Sequence, residues 1–336
     1  MKKVLFATTA LVASAGIASA QGVELSGSAE MGVFAADSID ALGVFTNGEV
    51  SFFTDIDVTF TMSGETDNGL SFGASIDLDE SDGSGTSGAS AAFSPATQGG
   101  ESIFISGDFG TLTMGDTDGA FDWAMTEVGI GGTLNDDHTS HAGFNGNATF
   151  DGSYDGQVAR YDYSFDDFAF AVSAEIDDAG VGDAVFGIGA TYSGDLGGVT
   201  LGVGLGYQQV GSRDAIGLSA TAQLDSGFEA RLNYSTYSAS TVSSFNQTSA
   251  VDSHLGLGLG YSMDALTIGV NYGVFEAATA GEANHEGFGI AVDYDLGGGA
   301  VVQFGYGSST VADASTAVGG DTLSAETWSL GVAMSF

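Results

Sequence analysis

The last nine residues of the chain alternate between large apolar and small side chains. The large residues are Trp328, Leu330, Val332, Met334 and Phe336, and serine, glycine and alanine lie between them. A period of two predicts a β-strand with one apolar face and one small or polar face. At the end of a soluble sheet, this strand would be an exposed and adhesive edge. Closure into a barrel within a lipid bilayer removes the edge and gives the apolar face a hydrocarbon partner.

The N-terminal segment predicts export from the cytoplasm. Lys2 and Lys3 precede an apolar run from Val4 to about Val12, and small residues follow as far as Ala20. This order is typical of a secretory signal peptide, and the run is shorter than the ~18 residues that a spanning helix needs. We therefore expect residues 1–20 to be a signal peptide and residues 21–336 to form one β-barrel domain.

Acidic residues strongly outnumber basic residues. The chain has 44 Asp and Glu against five Lys and Arg, and its formal net charge of −39 becomes −41 once Lys2 and Lys3 are removed. This charge excludes binding to nucleic acid through a basic patch. The 43% share of apolar residues argues against disorder. Because cysteine is absent, disulfides, thiolate metal sites and cysteine nucleophiles are also excluded.

Segments with a period of two recur from one end of the chain to the other, and Leu201–Tyr207 and Leu266–Val274 are clear examples. Their length is close to the ~9–11 residues with which a tilted strand crosses a bilayer. They predict an all-β fold, a 16-stranded antiparallel transmembrane β-barrel wide enough to hold an aqueous channel. The predicted strands are 22–35, 48–63, 70–80, 101–107, 110–116, 157–165, 168–177, 184–194, 199–210, 215–224, 228–238, 253–263, 266–276, 286–296, 300–310 and 326–336.

Short Asp- and Gly-rich turns alternate with longer loops such as 82–100, 239–252 and 311–325. That asymmetry is typical of bacterial outer-membrane barrels. The connection at about 117–156 is longer than the others and carries aromatic and apolar residues. We expect this long third loop to fold into the lumen, where those side chains find a packing partner. Glycine runs such as Gly202–Gly206 alternate within strands, which predicts small residues on the lumen side or at a subunit contact.

In this order of features the sequence resembles the general diffusion porins of Gram-negative bacteria, especially the Rhodobacter-type porins of alphaproteobacteria. The likeness rests on the signal peptide, the sixteen strands, the strand ending Thr111–Asp116, the long third loop and the terminal Phe336. The resemblance implies a homotrimer in the lipid bilayer of the cell outer membrane that passes small hydrophilic solutes and ions. It also implies that the barrel-assembly machinery recognises the terminal strand, which contains Trp328 and Phe336.

Porins of this type place acidic residues of the folded loop opposite basic residues of the barrel wall. Alternation directs Arg160 and Arg231 into the lumen, away from neighbours such as Tyr161 and Leu232, and Arg213 falls in a short outer loop. The acidic candidates for the constriction are Asp116, Asp118, Asp122, Glu127, Asp136 and Asp137. Two wall arginines cannot form a dense basic cluster, so we expect an acid-lined pore that prefers cations. The alternative is that many of the acids lie on outer loops and only hydrate the protein.

Sites for other chemistry have weak support. Asp136 and Asp137 could supply oxygen ligands to calcium, although a solvated acidic loop is the plainer interpretation, and no other cofactor is expected. Serine, histidine and aspartate occur without a hydrolase signature, so we expect no enzyme. Two other functions stay open. One is a substrate-specific, sugar-type porin with stacking aromatics, for which Phe121 and Trp123 are candidates. The other is a secreted acidic β-rich surface protein or adhesin, against which the aromatic ends of the apolar faces argue.

Overall fold

Sixteen β-strands close an antiparallel barrel in the computed structural model of this chain. The structure describes residues 22–40, 42–81, 100–134, 141–154, 156–177, 179–313 and 320–336, so the expected signal peptide (1–20) lies outside the described residues. Neighbours in the barrel are neighbours in sequence, and β1 (Gly22–Ala36) closes the ring by pairing with β18 (Thr322–Ser335). The predicted 16-stranded barrel is therefore confirmed.

The other strands follow in chain order. A small hairpin after β1 consists of β2 (Ser38–Ile39) and β3 (Phe45–Thr46). The barrel continues with β4 (Ser51–Glu65), β5 (Ser71–Ser81), β6 (Ser102–Gly107), β7 (Gly110–Asp116), β8 (Gln157–Phe165), β9 (Phe168–Glu175), β10 (Val185–Asp195), β11 (Val199–Val210), β12 (Arg213–Leu224), β13 (Phe228–Ser244), β14 (Gln247–Met263), β15 (Leu266–Ala277), β16 (His285–Gly297) and β17 (Ala300–Ala312). Among the described residues between β7 and β8 there is one short helix, α1 (Ala120–Ala124).

The terminal strand is held at both of its edges. It pairs with β17 on one side and with β1 on the other, in a register that sets Val33 opposite Leu330. The Phe336 N–H donates a hydrogen bond of 2.9 Å to the carbonyl oxygen of Gly27, while its side chain is 80% exposed on the outer surface. No strand edge is left at this seam, which is the condition for a sheet to survive in a bilayer.

The two faces of the barrel differ in composition. Alternate residues around the ring expose large apolar side chains, among them Ile103 (65%), Phe170 (52%) and Leu259 (61%). An outer surface covered with apolar side chains is unfavourable in water and favourable in lipid. The opposite face carries glycine, hydroxyl, amide and charged residues. Among the described residues, no helix is long and apolar enough to cross a membrane.

The sequence prediction was wrong where it placed a loop at 239–252. Instead, β13 continues to Ser244 and β14 begins at Gln247. The two-residue turn between them has φ of 50° at Phe245 and 57° at Asn246. Positive φ at both central residues is typical of a hairpin turn that matches the twist of its strands. The Ser- and Thr-rich sequence looks like a loop, but its hydroxyls pair across the hairpin, as Thr248 and Ser243 do at 3.0 Å.

The small hairpin folds over the mouth of the barrel. Ile39 is 1% exposed and packs with Ala142, Val311 and Ala325. The Asn246 side-chain amide donates to the Ile39 carbonyl oxygen at 2.8 Å, which joins the hairpin to the tall β13–β14 pair. The long β13–β14 pair and the small hairpin therefore meet on one side of the barrel mouth.

An introduced arginine should affect stability differently on the two faces of the barrel. We expect Ile188→Arg, on the outer face, to destabilise the barrel by about 2–4 kcal/mol, because the guanidinium would enter hydrocarbon. Thr61→Arg, on the inner face and opposite Glu24 in the strand register, is the matched control and should cost little. Urea unfolding in lipid vesicles would measure both. Equal losses would contradict the assignment of the outer face to lipid.

Candidate functional site: the pore and its third loop

The described residues of the third loop (117–134, 141–154 and 156) run inside the barrel between β7 and β8. These residues contact inward-facing residues at points along the barrel wall. Ala120 reaches Ser173 on β9, Gly132 reaches Asp293 on β16, and Leu134 lies against Gly32 of β1. The described part of the loop thus lines the wall from β9 through β18 to β1, as the prediction of a loop folded into the lumen requires. The wall formed by β4–β7 faces it across the remaining space.

Wall side chains hydrogen-bond the backbone of the loop, whose described residues contain little secondary structure. The accepting oxygens take the place of a partner strand, since buried N–H groups need acceptors. The pairs are Ala120 N–H to Ser173 Oγ (2.8 Å), Thr126 to Ser219 Oγ (2.9 Å), Gly132 to Asp293 Oδ2 (2.8 Å), Ala142 to Ser309 Oγ (3.0 Å), Phe150 to Gln208 Oε1 (2.8 Å) and Tyr154 to Glu175 Oε1 (3.1 Å).

Two further wall side chains donate to carbonyl oxygens of the loop. The Asn233 amide on β13 donates to Thr126 O at 2.9 Å. His254 Nε2, on β14, lies 2.9 Å from the carbonyl oxygen of Gly143, which fixes its proton on Nε2. None of these wall residues was among the predicted site residues. The available signal was a polar residue at an inward position of a strand that is otherwise small or apolar.

Glycines on the inner wall allow the loop to approach the sheet closely. A Cβ placed on Gly204 would lie 1.8 Å from Ala124 O, and one on Gly269 would lie 1.8 Å from Ile130 O. The same relation holds for Gly258 under Val128 O and Gly273 under Gly143 O, at 2.1 and 2.0 Å. No side chain fits at such distances. The glycine runs therefore lie on the lumen side, one of the two places that the sequence allowed, and they form the seat of the loop.

Apolar side chains of the loop pack onto the same wall. Phe121 is fully buried with Met125, Phe150, Val185 and Val210. This cluster explains the aromatic and apolar residues that the loop carries. Because Phe121 lies beneath the loop, it is not available as a stacking platform for sugars. That leaves half-buried Trp123 as the remaining candidate of the two named above.

The acidic candidates lie in different places. Asp116 ends β7, where its Oδ2 accepts the Gly100 N–H at 2.8 Å, and Asp118 is exposed at the start of the loop. Asp122 is half-buried in α1, and Glu127 is exposed three residues after the helix. Burial first, and then the charges of Asp118, Glu127 and Asp151, raise the pKa of Asp122 to about 8. Asp136 and Asp137 lie outside the described residues.

All three arginines of the chain contact the third loop. Arg160 Nη1, on β8, donates to Asp118 O at 2.6 Å, and its Nε lies 3.6 Å from Asp162 Oδ1. Arg231 Nη1, on β13, donates to Gly129 O at 2.5 Å, and its Nε lies 2.6 Å from Glu229 Oε1. Arg213 begins β12, not the short loop that the sequence indicated, and lies 5.0 Å from the Phe150 ring centre.

The facing wall carries carboxylates at inward positions. Ser28 Oγ donates to Asp57 Oδ2 at 2.9 Å, and Thr59 Oγ1 donates to Asp77 Oδ1 at 3.0 Å. Asp57 alternates with exposed Ile56, and Asp77 alternates with exposed Ile76, so both carboxylates lie on the lumen side. Among the described residues, no group of three or more His, Asp and Glu side chains could hold a metal ion.

Closed β-barrels with a lipid-facing exterior and a polar, loop-lined interior define a class of membrane channel. Residues 7–314 of this chain match the model of the Gram-negative porin family. A porin of Rhodobacter capsulatus is 31% identical over 314 residues, which cover 84% of this chain and 93% of that porin. The chain belongs to the Gram-negative porin family. It is an outer-membrane channel and not an enzyme.

Solved porin structures share this fold. A porin refined at 1.8 Å resolution superposes with a TM-score of 0.66 at 24% identity. An engineered variant of Rh. blastica porin gives a TM-score of 0.64 at 19% identity. Each comparison covers 94% of this chain and 100% of the solved chain.

The glycine seat predicts a change in the pore when one glycine is filled. We expect Gly204→Ala to destabilise the seated loop by about 1–3 kcal/mol, because the new methyl group meets a backbone carbonyl that cannot rotate away. Single-channel recordings should then show altered conductance and increased current noise. Gly202→Ala, on the same strand and face, is the control because its obstacle is the movable hydroxyl of Thr221. Identical recordings from both variants would contradict the seat.

Proposed function

We propose that this porin is a passive diffusion pore for small hydrophilic solutes and ions that prefers cations. The supporting observation is the difference in how the two signs of charge are engaged. Each arginine contacts the loop, and Arg160 and Arg231 also have a carboxylate beside them. Asp57 and Asp77, in contrast, accept hydrogen bonds from the neutral hydroxyls of Ser28 and Thr59 at the inner wall.

A pore lined mainly by one sign of charge accumulates counter-ions and repels co-ions. In this pore, Asp57 and Asp77 on the wall would act together with Asp118 and Glu127 on the loop. Paired charges contribute a weaker field at a distance, because the two fields of an ion pair oppose each other. The arrangement therefore supports a field of one negative sign across the constriction rather than a field from acidic loop to basic wall.

Two features of the outside support a homotrimer as the functional unit. The outer face of β1 offers small residues at Gly27 and Ala29, and a shallow groove beside it is lined by Leu25, Ile56 and Phe336. A second copy of the chain is the occupant that a flat apolar face within a membrane fits best.

We also propose that Trp328 and Phe336 act in recognition by the barrel-assembly machinery, that residues 1–20 direct export, and that Asp136 and Asp137 are the ligands of any calcium that binds.

The direct test of cation preference is the reversal potential of the purified protein in a planar bilayer under a tenfold KCl gradient. We expect stepwise conductance with a reversal potential displaced toward the potassium equilibrium value. Displacement toward the chloride value would contradict the proposal and assign the selectivity to Arg160 and Arg231. Absence of any conductance would contradict the channel itself.

The wall carboxylates predict a graded loss of selectivity. Asp57→Asn and Asp77→Asn keep the size of each side chain and remove its charge, so the reversal potential should move part of the way toward zero in each single variant and further in the double variant. Asp264→Asn, in the exposed turn between β14 and β15, is the control and should leave the reversal potential unchanged. A wild-type value in the double variant would show that these residues lie outside the ion path.

The raised pKa of Asp122 predicts a pH-dependent step. Because this pKa is about 8, the carboxyl group is mostly protonated at pH 7 and becomes charged as the pH rises above 8. Cation preference should therefore increase between pH 7 and pH 9. Asp122→Asn should remove that step and leave the selectivity at pH 7 close to the wild-type value. Reversal potentials recorded across this pH range for both proteins would measure it.

A further inference from the structure

We propose that Arg160, Arg213 and Arg231 are positioning residues that clamp the third loop onto the barrel wall and so set the width of the pore. Their three contacts are spread along the loop, at Asp118 near its start, at Gly129 in its middle and near its end at Phe150. The side chains of Arg160 and Arg231 are only 12% and 22% exposed and face the loop backbone, whereas the exposed Arg213 guanidinium lies over a buried ring. The proposal concerns the width of the pore and is independent of the sign of its selectivity.

Arg231 shows the arrangement in most detail. Its Nη1 donates to the carbonyl oxygens of Gly129 at 2.5 Å and Glu127 at 3.3 Å, so it holds both sides of Val128. Its Nε bonds to Glu229, the residue two positions earlier on the same strand face. A planar guanidinium can use two edges at once, whereas the ammonium group of lysine is a single point. Position 231 therefore requires the several N–H donors of a planar guanidinium group and not merely a positive charge.

Val128 lies at the point that Arg231 holds. Its side chain is 1% exposed and faces the wall at Gly256, and its carbonyl oxygen lies over Gly258. Release of the Arg231 contacts would free the chain segment on both sides of this residue. Access of water to position 128 is therefore a direct measure of whether the clamp is closed.

Arg160 and Arg213 hold the two ends. Arg160 donates to the Asp118 carbonyl oxygen and, at 3.3 Å, to Thr117 Oγ1, immediately after the loop leaves β7. The Arg213 guanidinium lies over the ring of Phe150, which is buried in the cluster under the loop, and a cation over an aromatic face is attracted to it. Every arginine of the described chain is thus used to hold one loop in place.

The test uses a single reporter cysteine, because the natural chain has none. Val128→Cys is close in size and keeps the reporter thiol beneath the loop. We expect a water-soluble thiol reagent to modify it slowly in the otherwise wild-type protein. Adding Arg231→Lys, which keeps the charge and loses the fork, should raise the modification rate about tenfold, equivalent to about 1.4 kcal/mol of lost protection. Single-channel current should become noisier at the same time.

Two further variants separate a clamp from a selectivity charge. The double variant Arg231→Met with Glu229→Gln removes the ion pair without changing the net charge, and it should expose the reporter thiol as Arg231→Lys does. Arg213→Lys weakens the clamp at Phe150 rather than at Val128, so it should make the single-channel current noisier while the reporter thiol at position 128 stays protected. A difference in gel mobility between unboiled and boiled samples would confirm assembly of each variant.

If Arg231→Lys leaves both the protection of the reporter thiol and the current noise at their wild-type levels, and Arg231→Met alone only displaces the reversal potential further toward potassium, Arg231 acts as a charge in the ion path and the clamp is wrong. If the double variant does not assemble, Arg231→Lys decides the question, because it retains the charge and the ion pair.

Discussion

The structure depends on satisfying the backbone of a long loop that lies inside a barrel. A segment with little helix or strand satisfies few of its own backbone N–H and C=O groups by internal hydrogen bonds. The backbone groups of the wall are already paired within the sheet and are not available to it. The barrel meets this constraint with side chains. Ser173, Ser219, Gln208 and Asp293 accept from the loop, and Asn233 donates to it. The width of the channel follows from how tightly this contact is made.

The same contact explains the distribution of glycine. Backbone-to-backbone approach at Gly204 and Gly269 leaves no room for a Cβ, so a carbonyl oxygen of the loop rests on the wall where a side chain would otherwise stand. Contacts of this kind bring the Cα–H of the wall close to an oxygen and add a small attraction. A barrel without the loop would have no need of these glycines, which weaken a strand by themselves.

The period of two was sufficient to predict the architecture, because each strand faces lipid on one side and this pattern survives in the sequence. The third loop was also predictable at 117–156, since β7 and β8 flank it with clear alternation. The tall β13–β14 hairpin was missed because Ser and Thr occur in loops and in strands alike. The partners of the loop were missed for another reason. Ser219 and Gln208 become recognisable only when residues far apart in sequence are brought together, and no local pattern carries that information.

The wall holds the main chain of the loop by hydroxyl and amide groups, by arginine forks and by bare glycines, and it holds the apolar side chains of the loop in the buried cluster around Phe121. Side chains of the loop that point away from the wall take no part in these contacts. Asp118 is such a residue, because the wall contacts it through its carbonyl oxygen and its exposed side chain can be exchanged without altering the seat. The bore of the channel and the chemistry of its lining are therefore separate properties of one loop. Substitution of a few exposed loop residues could therefore change the ion selectivity of this pore while its width stays the same.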